Sequence, residues 1–136
     1  MEEIKSKTIN IKRGDIVWLK SNIDYHNIGG SVQDINRPYI VISNDINNTK
    51  ANIVNLACIS KQIRKSKYPM HVYLDKNKYN LKYNSVAFME QISTVPKDFI
   101  NEKIGSLDAD DIKKLNRAII TQMIGTNINN IEEMIN

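Results

Sequence analysis

The chain has 136 residues, a formal charge of +4, and 41% hydrophobic against 25% charged residues. That length fits one domain with a core of its own, and the single cysteine, Cys58, excludes an internal disulfide and offers no zinc-ligand spacing. Residues 1–10 are charged and lack an apolar signal region, and no apolar run nears the length of a membrane span, so a soluble cytoplasmic protein is expected.

Residues 1–11 read as a lead-in. Arg13-Gly14-Asp15 then turns the chain into Ile16-Val17-Trp18-Leu19, a compact strand with a bulky aromatic. An adhesion role for Arg-Gly-Asp is excluded because the tripeptide abuts a core strand. Residues 21–36 carry no periodic pattern. They hold His26, Gly29-Gly30, Gln33, Asp34 and Asn36, and a structureless loop of that length is usually functional or disordered. It leads into Arg37, so it can fold over whatever Arg37 touches.

Two apolar runs, 39–42 and 53–59, are rich in β-branched residues and too short for separate helices. They read as neighbouring strands joined by a turn-like polar stretch, 43–50. Pro38 pushes Arg37 towards extended backbone. Ser60 stands where the second run stops. If the strands are antiparallel, a guanidinium and a hydroxyl share one rim of the sheet, a pair suited to an oxyanion or phosphate. Cys58 reads as a small core residue.

Lys61, Arg64, Lys65 and Lys67 follow with no acid among them. Between Lys50 and Lys82 there are eight Lys or Arg and one acid, Asp75. This uneven charge suggests a polyanion surface. In residues 69–74, Met70, Val72 and Leu74 alternate with His71 and Tyr73, which puts the latter two on an outer or binding face. Residues 75–82 are turn-like. Residues 84–92 form another strand, ended by Glu90 and Gln91. Residues 94–98 read as a break, with Pro96 as a first helical residue.

Residues 102–107 read as a last short strand. Asp108 caps a helix over 109–124 with Asp110 and Asp111 in its first turn. Ile112, Leu115, Ile119 and Met123 form its apolar stripe, and Gly125 stops it. Ile128, Ile131 and Ile135 suggest a second short helix in an extension over 127–136. Five or more short strands with one terminal helix predict a mainly β (α+β) fold: a small twisted barrel or curled sheet closed on one side by that helix.

From Lys12 to Ile124 the chain resembles the MazF/PemK family of mRNA interferase toxins. The resemblance is carried by the residues Lys12-Arg13-Gly14-Asp15-Ile16-Val17-Trp18, Arg37-Pro38, Ser43-Asn44-Asp45 and Ile59-Ser60. Pro69-Met70-His71-Val72, Ser85-Val86, Glu90-Gln91-Ile92-Ser93-Thr94 and Leu107-Asp108-Ala109-Asp110-Asp111 continue it. It implies one SH3-like barrel domain of five to seven strands with a C-terminal helix. It also implies a homodimer that binds single-stranded mRNA across its interface, and a MazE-like antitoxin with an acidic, apolar tail.

The resemblance assigns catalytic roles to Arg37, Ser60 (commonly Thr in the family) and Glu90. RNA-binding positions are Gln33, Asn36, Lys61, Arg64, Lys65, His71 and Gln91. No metal or cofactor is implied. Two departures stand out. The loop before Arg37 is longer than in the family and keeps only Gln33 of its usual stretch. Ser93 replaces a frequent Arg.

Metal-free RNA cleavage uses the ribose 2′-hydroxyl against the adjacent phosphorus. The protein must accept the 2′ proton, stabilise the phosphoryl oxygens and protonate the leaving 5′ oxygen. Arg37 and Ser60 suit the second task. Glu90, His71 and His26, in that order, are candidates for the base. The second functional class is a non-catalytic barrel that binds nucleic acid or protein, a gyrase poison included.

Overall fold

The computed structural model describes residues 9–23, 36–62 and 66–125. His26, Gln33, Arg64, Lys65 and the 127–136 extension lie outside them. In chain order the elements are β1 (Asp15–Leu19), β2 (Tyr39–Val41), α1 (Asp45–Lys50), β3 (Ile53–Lys61), β4 (His71–Leu74), β5 (Ser85–Pro96), β6 (Ile100–Ser106) and α2 (Ala109–Met123). A 3-10 turn, Lys97–Phe99, precedes β6. The strands form one six-stranded sheet, ordered β4-β5-β3-β2-β1-β6. Every pairing is antiparallel. The sheet is open, with β4 and β6 as its edges, so the expected barrel does not close among the described residues.

Strand alternation gives the sheet two buried faces. One buries Ile16, Ile40, Ala57, Ile59, Val72, Leu74, Ala87 and Met89 beneath Leu115 and Ala118 of α2. The other buries Val17, Leu19, Tyr39, Val41, Val54, Leu56, Cys58 and Val95. Ile11 is buried there and Ile9 packs beside it. The end of the expected lead-in is therefore core.

The stretch 43–50 is not merely a turn: it contains α1. Asn44 caps this helix by accepting from the Asn47 amide at 2.9 Å. Asn48 is buried and holds Ser43 through its amide group. Two further expectations are corrected at β5. The strand does not end at Glu90 and Gln91, and residues 94–96 are no break. β5 runs on to Pro96, which pairs with Ile53. A proline is tolerated at the end of a ladder because few partners follow to miss its N–H.

Gly14 has φ of +90°, its amide donates to Val41 O and its carbonyl accepts from Leu107 N. A Cβ there would stand 2.5 Å from Ile112 Cδ1, so the turn into β1 needs glycine both for its backbone and for space. Asp15 is buried, bonded to Ser106 Oγ at 2.6 Å and to the Lys12 amide.

α2 starts as expected, with Asp108 accepting from the Asp111 amide at 2.8 Å. Its buried positions are Asp111, Leu115 and Ala118, flanked by Ile112 and Ile119. Met123, expected in the stripe, is 63% exposed. Asp111 faces inward because the segment after β4 meets it: the Tyr79 hydroxyl and Lys78 Nζ both donate to its carboxylate. Tyr79 in turn accepts from the Asp108 amide.

Burial, then the bond to Asp111, pushes the Tyr79 phenol up to about 12. The hydrogen bonds to Asp108 and then Asp111 raise Lys78 above the ordinary lysine value. A raised folded-state pKa gives stability that is complete below the unfolded value and lost as pH climbs through the folded one. For Tyr79 that window runs from the ordinary 10.0 to about 12. Denaturant midpoints measured against pH should fall there in the wild type. Tyr79→Phe should cost about 1–3 kcal/mol at neutral pH, by leaving Asp111 short of a donor, and should flatten the alkaline decline.

Candidate active site at the end of the β2–β3 ladder

The β2–β3 register pairs Tyr39 with Cys58, and Ile59 N donates to Pro38 O beyond the last rung. Continuing that register sets Arg37 opposite Ser60. The side chains meet there: Arg37 Nη1 donates to Ser60 Oγ at 3.2 Å. Arg37 and Asn36 are exposed and Ser60 is half-buried. They open on a cavity of about 340 Å³. Asn36, Arg37, Ser60 and Lys61 line it, and Arg37 with Ser60 is the pair the sequence placed on a shared rim.

The opposite wall is the segment between β4 and β5: Asn80, Leu81, Lys82 and Tyr83. Trp18, Pro38 and Ile59 supply apolar lining. Sequence reasoning counted Lys82 only as the end of a basic segment and gave Tyr83 no role, reading 75–82 as a polar turn. The available signal was the Lys-Tyr pair at its end, an aromatic beside a cation. Lys61 Nζ lies 4.3 Å from the Tyr83 ring centre and Lys82 Nζ 5.6 Å.

Glu90 does not line this cavity. Between Cys58 and Ala57 the β3–β5 register jumps from Phe88 to Ile92, so Met89, Glu90 and Gln91 bulge from β5 with no partner on β3. Val86 faces Ser60, and the bulge carrying Glu90 sits between the Cys58 and Ala57 rungs, two to three residues along β3 from Ser60, about 7–10 Å at the rise of a strand. The bulge aims Glu90 at His71 on β4. Its carboxylate oxygens stand 2.9 and 2.8 Å from His71 Nε2.

At the other ring nitrogen, Ser66 Oγ stands 2.5 Å from Nδ1. Ser66 Oγ also accepts from the Tyr68 amide, and an imidazole with its hydrogen on Nε2 would match both contacts, donating to Glu90 while Nδ1 accepts from Ser66. The imidazole packs edge-on against Phe88 and Tyr68. His71 and Tyr73 are partly buried and alternate with fully buried Val72 and Leu74, as the alternation predicted. The three residues named together as catalytic thus occupy two places within the chain: Arg37 with Ser60, and Glu90 with His71. Gln91 is exposed on the bulge, and Ser93 is buried opposite Leu56.

An open antiparallel sheet backed by a helix, with a guanidinium–hydroxyl pair and two lysines lining one cavity, defines a small β protein whose rim gathers donors of the kind that suit an oxyanion. The profile of the family described as PemK-like, MazF-like toxin of type II toxin-antitoxin system matches residues 12–123. The Bacillus subtilis protein named Endoribonuclease EndoA is 37% identical over 109 residues, 80% of this chain and 90% of its own. Endoribonuclease MazF of Staphylococcus saprophyticus is also 37% identical over 109 residues, covering 80% and 88%. A solved mycobacterial endoribonuclease in complex with its cognate antitoxin superposes with a TM-score of 0.61. It covers 82% of this chain and 92% of that one at 18% identity, a likeness of fold. The chain belongs to the PemK-like, MazF-like family of type II toxins.

Proposed function

We propose that this toxin is an endoribonuclease that cuts single-stranded mRNA without a metal. The relatives named endoribonucleases support the activity. The observation that carries the chemistry is the Arg37–Ser60 contact at the cavity mouth. The ribose 2′-oxygen attacks phosphorus, its proton leaves to a base, and the bond from phosphorus to the 5′ oxygen breaks. The leaving oxygen takes a proton. A 2′,3′-cyclic phosphate and a 5′-hydroxyl result.

Arg37 holds the phosphoryl oxygens through its fork and Ser60 adds a hydroxyl donor. Asn36 and Lys61 bind the chain beside them. His71, oriented by Glu90 and Ser66, and exposed Gln91 contact the RNA farther along. The toxin acts as a homodimer controlled by a MazE-like antitoxin in the cytoplasm; the mycobacterial endoribonuclease solved in complex with its cognate antitoxin supports the antitoxin part of that reading. No helix among the described residues is long and apolar enough to cross a membrane.

The test is incubation of purified protein with mixed single-stranded RNA in EDTA, with the new ends mapped. Cleavage leaving 5′-hydroxyl and cyclic phosphate ends is expected. Binding without new ends would point instead to a non-catalytic module.

A further inference from the structure

We infer that Tyr83 is a stacking platform for one unpaired base of the RNA, with Lys61 and Lys82 as its phosphate grips. The inference deepens the ribonuclease reading and rests on it. Tyr83 is 44% exposed although it lines the same cavity as Arg37 and Ser60. An aromatic ring left half open beside a scissile-phosphate site is poorly explained by packing alone. It is not a loose side chain on a loose loop. Its carbonyl accepts from Ser85 Oγ at 2.8 Å, and the next carbonyl, Asn84 O, accepts from Gln62 N at 3.0 Å. The Asn84 side chain accepts from the Lys76 amide. The backbone under the ring is therefore tied to Gln62, just past the end of β3, and to the start of its own loop.

The ring is also electrostatically primed. Two ammonium groups stand over it, at 4.3 and 5.6 Å from its centre. Both lysines are exposed. A cation over a tyrosine face is a weak interaction at an exposed site. An arriving nucleotide offers a better exchange: its phosphate takes the ammonium groups and its base takes the ring. Every base presents a flat π-face, so this contact adds affinity with little sequence preference. The apolar lining by Trp18, Ile59 and Leu81 gives the base a partly dry place to sit. Arg37 and Ser60 then hold the adjoining phosphodiester.

The experiment uses a single-stranded RNA that the wild-type protein cuts once, and a copy with a 2′-deoxy nucleotide at the cut to block attack. Binding of the blocked copy is followed by fluorescence anisotropy at fixed salt for wild type, Tyr83→Phe and Tyr83→Leu. Single abasic sites are then walked along it. Tyr83→Phe should bind as wild type, and Tyr83→Leu about tenfold more weakly. One abasic position should cost wild type about tenfold and cost Tyr83→Leu nothing further. That coupling to a single position distinguishes stacking from a structural role. Equal binding by Tyr83→Leu, or abasic penalties identical in both proteins, would overturn the platform. Failure of wild type to cut the unblocked RNA would instead overturn the nuclease reading itself.

Discussion

Arg37→Ala should lower RNA cleavage by about 10²–10³-fold, the usual loss for one oxyanion donor, while leaving the fold in place. Arg37 is exposed, and exposed substitutions away from special backbone or buried networks usually change stability by under about 0.5 kcal/mol. The size of the effect follows from position. Beyond the Tyr39–Cys58 rung the chain places residue 37 against residue 60, and the guanidinium reaches the hydroxyl at 3.2 Å. No neighbouring lysine can reproduce a planar fork from the same backbone position. Cleavage rates under saturating RNA, with circular dichroism as the fold control, make the measurement. A well-folded Arg37→Ala protein with wild-type rates would remove Arg37 from the chemistry.

Leu115→Ala should have the largest effect on stability, about 2–5 kcal/mol. Leu115 is fully buried at the centre of α2, in one cluster with Ile16, Ile40, Ile59 and Leu74. Truncation leaves a cavity that strands β1 to β4 cannot collapse without shifting the sheet. The denaturant midpoint should drop with little change in slope. Met123→Ala, at the exposed end of the same helix, should stay near wild type. A Leu115→Ala protein as stable as Met123→Ala would mean that α2 does not seal this face.

The rim of the site was legible because it is local. Arg37-Pro38 and Ile59-Ser60 lie at the facing ends of two β-branched runs, and antiparallel pairing alone brings them together. The separation of Glu90 from that rim was not legible. It depends on a three-residue bulge, Met89–Gln91, whose only record is a register jump between strands. In the sequence Glu90-Gln91 is simply a polar pair closing an apolar run, so the strand seemed to end where it bends.

α1 was missed for a different reason. Its six residues carry no apolar stripe, and what makes them helical is an Asn cap and buried Asn48. Met123 matched helical spacing, but it lies beyond the part of the sheet that α2 covers, whereas Ala118, too small to stand out, is buried. Asp111 looked like a dipole-favoured acid. Its burial follows from Tyr79, thirty-two residues earlier in the chain, which no local pattern reveals.

The position of β1 has a consequence in time. It is the first strand made among the described residues, yet it lies between β2 and β6, with Asp15 against Ser106. A ribosome delivers every group of the cleft, up to Ser85, before it delivers β6 and α2. Closing so long a loop must precede the contacts that reward it, and non-local β topologies mature in milliseconds to seconds rather than microseconds. A newly made chain thus carries the Arg37–Ser60 rim for an interval during which the scaffold that aims it is still incomplete.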